Sequence, residues 1–120
     1  MAGRGAPLER IELLQGTLDL IILQSLRWGP SHGYALVKLI QSTSKDVLQI
    51  NTGSLYPALQ RLEKKGWIEA EWGVSENGQR VREYRLTKGG REQLVVERSK
   101  WDLLSDAMSR ILALQPEGET

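Results

Sequence analysis

Gln60, Arg61 and Lys64 stand three and four residues apart in the stretch from Asn51 to Gly66, which reads Asn-Thr-Gly-Ser-Leu-Tyr-Pro-Ala-Leu-Gln-Arg-Leu-Glu-Lys-Lys-Gly. On a helix they share one face with Gly53 and Pro57, while Leu55, Ala58, Leu59 and Leu62 recur at i, i+3, i+4 and i+7 on the other. An amide and a guanidinium can each meet two atoms on a base edge in the DNA major groove, and an ammonium can meet phosphate. A short-chained start, Thr52-Gly53-Ser54, leaves room for close approach and offers backbone N–H groups to a phosphate at the helix N-terminus. The same pattern also suits a solvated surface helix, so the remainder of the chain has to decide between the two.

The ends of this helix are legible. Asn51 and Thr52 supply N-cap oxygens and Gly66 supplies a stop. Pro57 costs least near a helix start; if the helix begins before Ser54, Pro57 interrupts one early backbone bond. Tyr56 flanks the apolar face, with its hydroxyl toward phosphate or its ring in the core.

The elements around it follow from periodicity. Met1 to Pro7 is small and polar and reads as a flexible tail, with domain boundaries at residues 8–87, 88–114 and a second tail at 115–120. From Leu8 to Trp28, Leu14, Leu18, Ile21, Ile22 and Leu26 recur at helical spacing, and Leu20 and Leu23 widen the apolar face, as in a buried helix ended by Gly29 and Pro30. Ser31 then caps a second helix to about Ser42, with Tyr34, Val37 and Ile40, joined by Leu36 and Leu39, facing inward. His32 in its first turn is either a phosphate contact or a surface residue. Val47, Leu48 and Ile50 suggest a short strand before the central helix.

After it, Trp67 to Gly73 and Val81 to Leu86 alternate as strands, with Asn77-Gly78 as the turn signal of a β-hairpin. Val81, Tyr84 and Leu86 are the expected inward set, although the phase slips by one. Asn77, Gln79, Arg80 and Arg82 are candidates for contact with the DNA backbone or minor groove, as basic hairpins beside a recognition helix often are. Thr87 caps a last helix from Lys88 to about Leu114, where Leu94, Trp101, Leu104, Met108 and Ile111 form a heptad seam. A small domain cannot cover so long a helix along its whole length, and the same helix of a second copy is the economical partner.

Composition narrows the chemistry. The chain has 120 residues, one domain's worth, with no cysteine and one histidine. Disulfides and Cys-ligated metals are ruled out, and no metal or cofactor is expected. One histidine and no convergent acid–base or phosphate-loop motif argue against an enzyme. No strictly apolar run is longer than Leu20 to Leu23, far short of a membrane span, and a cytoplasmic protein without a signal peptide is expected. Residues 27 to 91 hold 11 Lys or Arg against 6 Asp or Glu, leaving 5 against 9 elsewhere. A basic centre with acidic ends suits a polyanion partner.

Three helices followed by a β-hairpin make a winged helix-turn-helix, mainly α with a small β component (α+β), extended here by a long C-terminal dimerisation helix. At this level the chain resembles the PadR-like transcriptional regulators. The resemblance rests on Gly16-Thr17-Leu18-Asp19-Leu20, on His32-Gly33-Tyr34, and on Gly53-Ser54-Leu55-Tyr56-Pro57-Ala58-Leu59 continuing to Arg61-Leu62-Glu63. Gly66 to Ile68 and Tyr84-Arg85-Leu86-Thr87, leading to Gly89 or Gly90, complete it.

The resemblance implies a homodimeric DNA-binding repressor of inverted-repeat operators, released by a small molecule, with Ser54, Tyr56 and Pro57 near the start of the recognition helix. The short final helix is similar to the subgroup lacking a larger C-terminal domain, which argues against a phenolic-acid effector. Trp101 matches a tryptophan that, in some short members, lines an apolar pocket across the dimer and stacks flat aromatic ligands. On physical grounds, two indoles facing across a two-fold axis sandwich a planar ligand, or else pack as dimer core, with Met108 as pocket wall or core filling. The alternative to a regulator is a winged-helix protein-interaction module without sequence-specific DNA binding.

Overall fold

The computed structural model describes residues 15–115. Its elements are α1 (Gln15–Leu26), β1 (Ser31–His32), α2 (Gly33–Thr43), α3 (Thr52–Lys64), β2 (Ile68–Val74), β3 (Arg80–Leu86) and α4 (Lys88–Leu112). The expected tail over 1–7, the start of the first helix at Leu8 and nearly all of the C-terminal tail lie outside the described residues.

One core joins these elements. Leu18, Ile22, Leu23 and Leu26 of α1 meet Leu36 and Ile40 of α2, Leu55, Ala58, Leu59 and Leu62 of α3, and Ile68, Tyr84, Leu86 and Leu94 from the hairpin and α4. The apolar spacing read on α3 is thus its buried face. Truncating a fully buried leucine such as Leu59 to alanine removes about 2–5 kcal/mol.

The ends of α3 show why it stops where it does. The Asn51 side chain accepts a hydrogen bond from the Ser54 N–H at 2.9 Å. At the other end Gly66 takes φ 78°, and the Gly66 and Trp67 N–H groups donate back to the Glu63 and Leu62 carbonyls at 3.0 and 3.1 Å, a Schellman closure. Because the helix begins at Thr52, Pro57 does fall inside it and removes the N–H that would donate to the Gly53 carbonyl.

The hairpin pairs β2 with β3 antiparallel, with Ile68 opposite Leu86 and Trp72 opposite Arg82. A two-residue strand, β1, adds to the other side of β3, giving the order β1-β3-β2. Ser31 and His32 therefore extend the sheet, and it is His32, not Ser31, that caps α2: its Nδ1 accepts from the Ala35 N–H at 3.3 Å. Residues 47, 48 and 50 form no strand; Leu48 and Ile50 pack on the core as irregular chain. On β3 the alternation places Leu86, Tyr84 and Arg82 on one face and Val81 on the other, which resolves the slipped phase.

The start of α4 is fixed by four groups. Thr87 Oγ1 accepts from the Gly90 N–H at 3.0 Å and donates to the Gly66 carbonyl at 2.6 Å. The Thr87 N–H donates to the Trp67 carbonyl, against which Gly90 packs so closely that a Cβ would overlap it. This explains the spacing from Gly66 to Gly90. Leu94 is 5% exposed within its own chain, so it belongs to the core and is removed from the seam expected for a dimer. Beyond it Trp101, Leu104, Met108 and Ile111 are all exposed.

Candidate nucleic-acid interface

The outward face of α3 carries Thr52, Gly53, Ser54, Pro57, Gln60 and Lys64, all exposed. Its start is compact and polar, because Asn51 folds back over the first turn and Gly53 leaves no side chain there. Gln60 and Lys64 lie one turn apart along the same stripe and are free to meet base edges or phosphate.

Arg61 departs from the expected outward set. Its Nη2 binds Asp19 Oδ1 of α1 at 2.5 Å, and its Nε is buried with no hydrogen-bond partner among the described residues. The reason is local: Asp19, the one charged residue of α1, sits between Leu18 and Leu20 and is 5% exposed, so its carboxylate needs a counter-charge. Position 61 borders the buried ridge of Ala58 and Leu62, where a long side chain reaches α1 rather than solvent.

Beside α3 lies an open cleft of about 890 Å³ between the start of α2 and the hairpin. Tyr56 of α3, His32 of β1, Tyr34 and Lys38 of α2, and Trp72, Asn77, Gln79, Arg80 and Arg82 of the hairpin line it. The Tyr56 ring is neither in the core nor loose. It is 41% exposed and lies on the backbone of Gly33, where a Cβ would stand 2.7 Å from its Cζ.

The hairpin's arginines differ in their surroundings. The Arg80 guanidinium stacks 4.5 Å from the Trp72 ring centroid, whereas Arg82 pairs with Glu63 Oε2 of α3 at 3.2 Å. Cation–π stacking steers a guanidinium without cancelling its charge; a carboxylate partner offsets it. Tyr84, on the same strand face as Arg82, has its phenol raised above the ordinary value, chiefly by burial and against the lowering effect of Arg82. It remains a neutral floor to the cleft. Arg85, by contrast, faces away and is held by Glu69 and Glu71, which raise its pKa further. The tip is closed by Ser75, whose carbonyl accepts from the Gly78 N–H at 2.9 Å, with Gly78 at φ 80°.

An exposed helix stripe flanked by a basic, aromatic hairpin is the arrangement of a winged helix that meets a polyanion. Residues 22–96 match the model of the PadR-like transcriptional regulator family. The chain belongs to that family.

Solved relatives share the architecture of this PadR-like protein. A transcriptional regulator from Clostridium thermocellum superposes with a TM-score of 0.73 at 32% identity, over 80% of this chain and 93% of the other. A PadR-like regulator from Bacillus cereus gives 0.73 at 27% identity, over 85% and 97%. Among curated proteins, an uncharacterized protein X of Lysinibacillus sphaericus is 34% identical over 77% of this chain and 84% of its own length. The transcriptional regulator YqjI of Escherichia coli is 28% identical over 87% of this chain, which spans only 48% of that protein.

Three members of this PadR-like site were not picked out from sequence. Of the residues expected inward on α2, Leu36, Val37 and Ile40 do face the core, whereas Tyr34 and Leu39 are exposed and Gly33 takes the remaining inward slot. The signal was Gly33 itself, occupying an apolar slot because a ring covers it. Lys38 stands 5.2 Å from the Tyr34 ring. Trp72 read only as an alternating strand residue.

Trp101 stands away from this face, at a second groove of about 610 Å³ between α1, the end of α2 and α4. Trp28, Leu20, Ile21, Gln24 and Leu48 share it, with Arg98 and Asp102 at its rim. The Gln24 Oε1 is buried, with no hydrogen-bond partner among the described residues. Met108, two turns further along α4, does not line this groove. Among the described residues no helix is long and apolar enough to cross a membrane.

Proposed function

We propose that this PadR-like protein is a homodimeric repressor that reads an inverted-repeat operator through α3 and its hairpin wing, and releases it when a small aromatic effector binds. The observation that supports this most directly is the cleft at which Tyr56 of α3 and Arg80 and Arg82 of the wing meet. It joins a helix stripe of groove-reading size to charges suited to the flanking backbone. In this reading Thr52, Gly53, Ser54, Tyr56 and Pro57 approach the duplex closely, Gln60 reads base edges, and Lys64, Asn77, Gln79, Arg80 and Arg82 meet phosphate or the minor groove.

Dimerisation falls to α4. Its 25 residues extend about 37 Å, and Trp101, Leu104, Met108 and Ile111 leave an apolar stripe uncovered. A second copy covers that stripe and sets two recognition helices about one helical turn, or a multiple of it, apart. The groove beside Trp101 suits the effector: two indoles and aliphatic walls take a flat apolar body.

Selection of duplexes from a random pool by purified protein, repeated at two salt concentrations, tests the reading. An inverted repeat is the expected product. Weak retention that salt abolishes and that carries no motif would leave only unspecific electrostatics and sink the regulator reading.

A further inference from the structure

We propose that Arg61 acts on operator DNA as a positioning residue, through its ion pair with Asp19, and touches no base. This rests on the DNA-reading role proposed for α3. The Asp19 carboxylate is 5% exposed and its partner is the Arg61 guanidinium. If Arg61 swung out to a base edge, it would leave that carboxylate buried and uncompensated, a strongly unfavourable state. Among the described residues the Arg61 Nε is buried without a hydrogen-bond partner, and the side chain as a whole is 28% exposed, so its guanidinium is half packed against the fold.

The pair works with a second one. On the wing side Glu63 of α3 holds Arg82 of β3 at 3.2 Å. Arg61 and Glu63 are two residues apart and therefore point to well-separated sides of the helix. The helix is thus tied to α1 on one flank and to the wing on the other. Those ties hold the helix in the one seat from which Gln60 and Lys64 reach the duplex, so losing a tie costs affinity while the side chains that meet the bases stay the same. Asp19 is also adjacent to Leu20 and Ile21, which wall the groove beside Trp101. Arg61 is accordingly the point at which α1 sets the seat of the reading helix.

The test is a double-mutant cycle with Asp19→Asn, Arg61→Gln and their combination, on the operator recovered by selection and on a scrambled duplex. Each single substitution is expected to lower operator affinity roughly tenfold while scarcely changing scrambled-duplex affinity, and the pair together to do no worse than the more damaging single. The preferred bases stay those of the wild type. Arg61→Lys, which keeps the charge, is expected to recover most of the operator affinity with the same preference, and it carries the comparison if the neutral variants melt below the assay temperature. A changed base preference at one position of each half-site in Arg61→Lys or Arg61→Gln overturns the inference, because it assigns Arg61 to direct reading. So does operator affinity untouched by Asp19→Asn. A wild-type protein that selects no motif overturns the regulator reading and this inference with it; a motif combined with a silent Asp19→Asn overturns this inference alone.

Discussion

The phenol ring of Tyr56 lies on the backbone of Gly33, so that the third residue of the central helix's Ser-Leu-Tyr-Pro run rests on the middle residue of His-Gly-Tyr. Any side chain at position 33 meets ring carbons at 2.7 and 2.8 Å as well as the hydroxyl, so loss of the hydroxyl alone gives no relief. Gly33→Ala is expected to destabilise the fold by about 1–3 kcal/mol, the usual scale of overpacking. Tyr56→Phe in that background should not restore it, whereas Tyr56→Leu, a smaller and flexible side chain, should in part. Thermal denaturation of the four proteins measures this; equal rescue by Phe would mean that the hydroxyl, not the ring, is what Gly33 accommodates.

The wing yields a second prediction because its two arginines are differently held. Arg80 stacks on Trp72, and Arg82 faces Glu63. Arg80→Ala should weaken binding to all duplexes alike and reduce the salt slope by about 0.9 for each phosphate contact removed. Arg82→Ala should do less, since part of its charge is already offset. Trp72→Ala leaves the net charge unchanged, so a fall in affinity there reports the loss of steering. Filter retention across a salt series separates the three; a larger effect from Arg82 than from Arg80 would reverse the assignment.

Much of this architecture was legible in the chain because burial follows period. Leu55, Ala58, Leu59 and Leu62 face the core as their spacing requires, and Asn77-Gly78 marks the hairpin tip. What was not legible depends on neighbours distant in sequence. Arg61 looked like an outward cation, since helical phase alone puts it beside Gln60; only the fold brings Asp19, 42 residues away, within reach. A carboxylate inside Leu18-Asp19-Leu20 was the clue that a cation had to come from somewhere. Leu94 fitted a heptad seam equally well, but the first turns of α4 are pinned to Trp67 through Gly90, which turns Leu94 into the core. Two-residue β1 escaped notice because a strand that short has no period.

Effector response gives a third prediction. Trp101 is 47% exposed at the groove it shares with Trp28 and Gln24. Trp101→Ala removes one wall of that groove and no group of the DNA face. Operator affinity without effector is expected to stay within about twofold, or about 0.4 kcal/mol, since a tenfold change corresponds to about 1.4 kcal/mol. Quenching of the remaining tryptophans by planar aromatic compounds, and their ability to release DNA, should fall together. Loss of operator affinity in the absence of any compound would show that Trp101 is needed for assembly itself.

The last prediction concerns assembly. Leu104 and Ile111 lie seven residues apart on α4, with Trp101 and Met108 between and beside them on the same seam, and all are exposed in the single chain. Leu104 is 54% exposed and lies outside the core of the described residues, so a glutamate there leaves that core intact. Against a second copy it places a carboxylate near its own symmetry mate, where burial and like-charge repulsion act together. Leu104→Glu is therefore expected to sediment as a folded monomer, with unchanged circular dichroism, at concentrations where the wild type is a dimer. Its operator affinity should collapse toward that of one half-site, because a lone recognition helix loses the high effective concentration of its partner. A Leu104→Glu protein that remains dimeric would move the interface off this face of α4. An unaffected operator affinity in a proven monomer would show that the two half-sites are read independently.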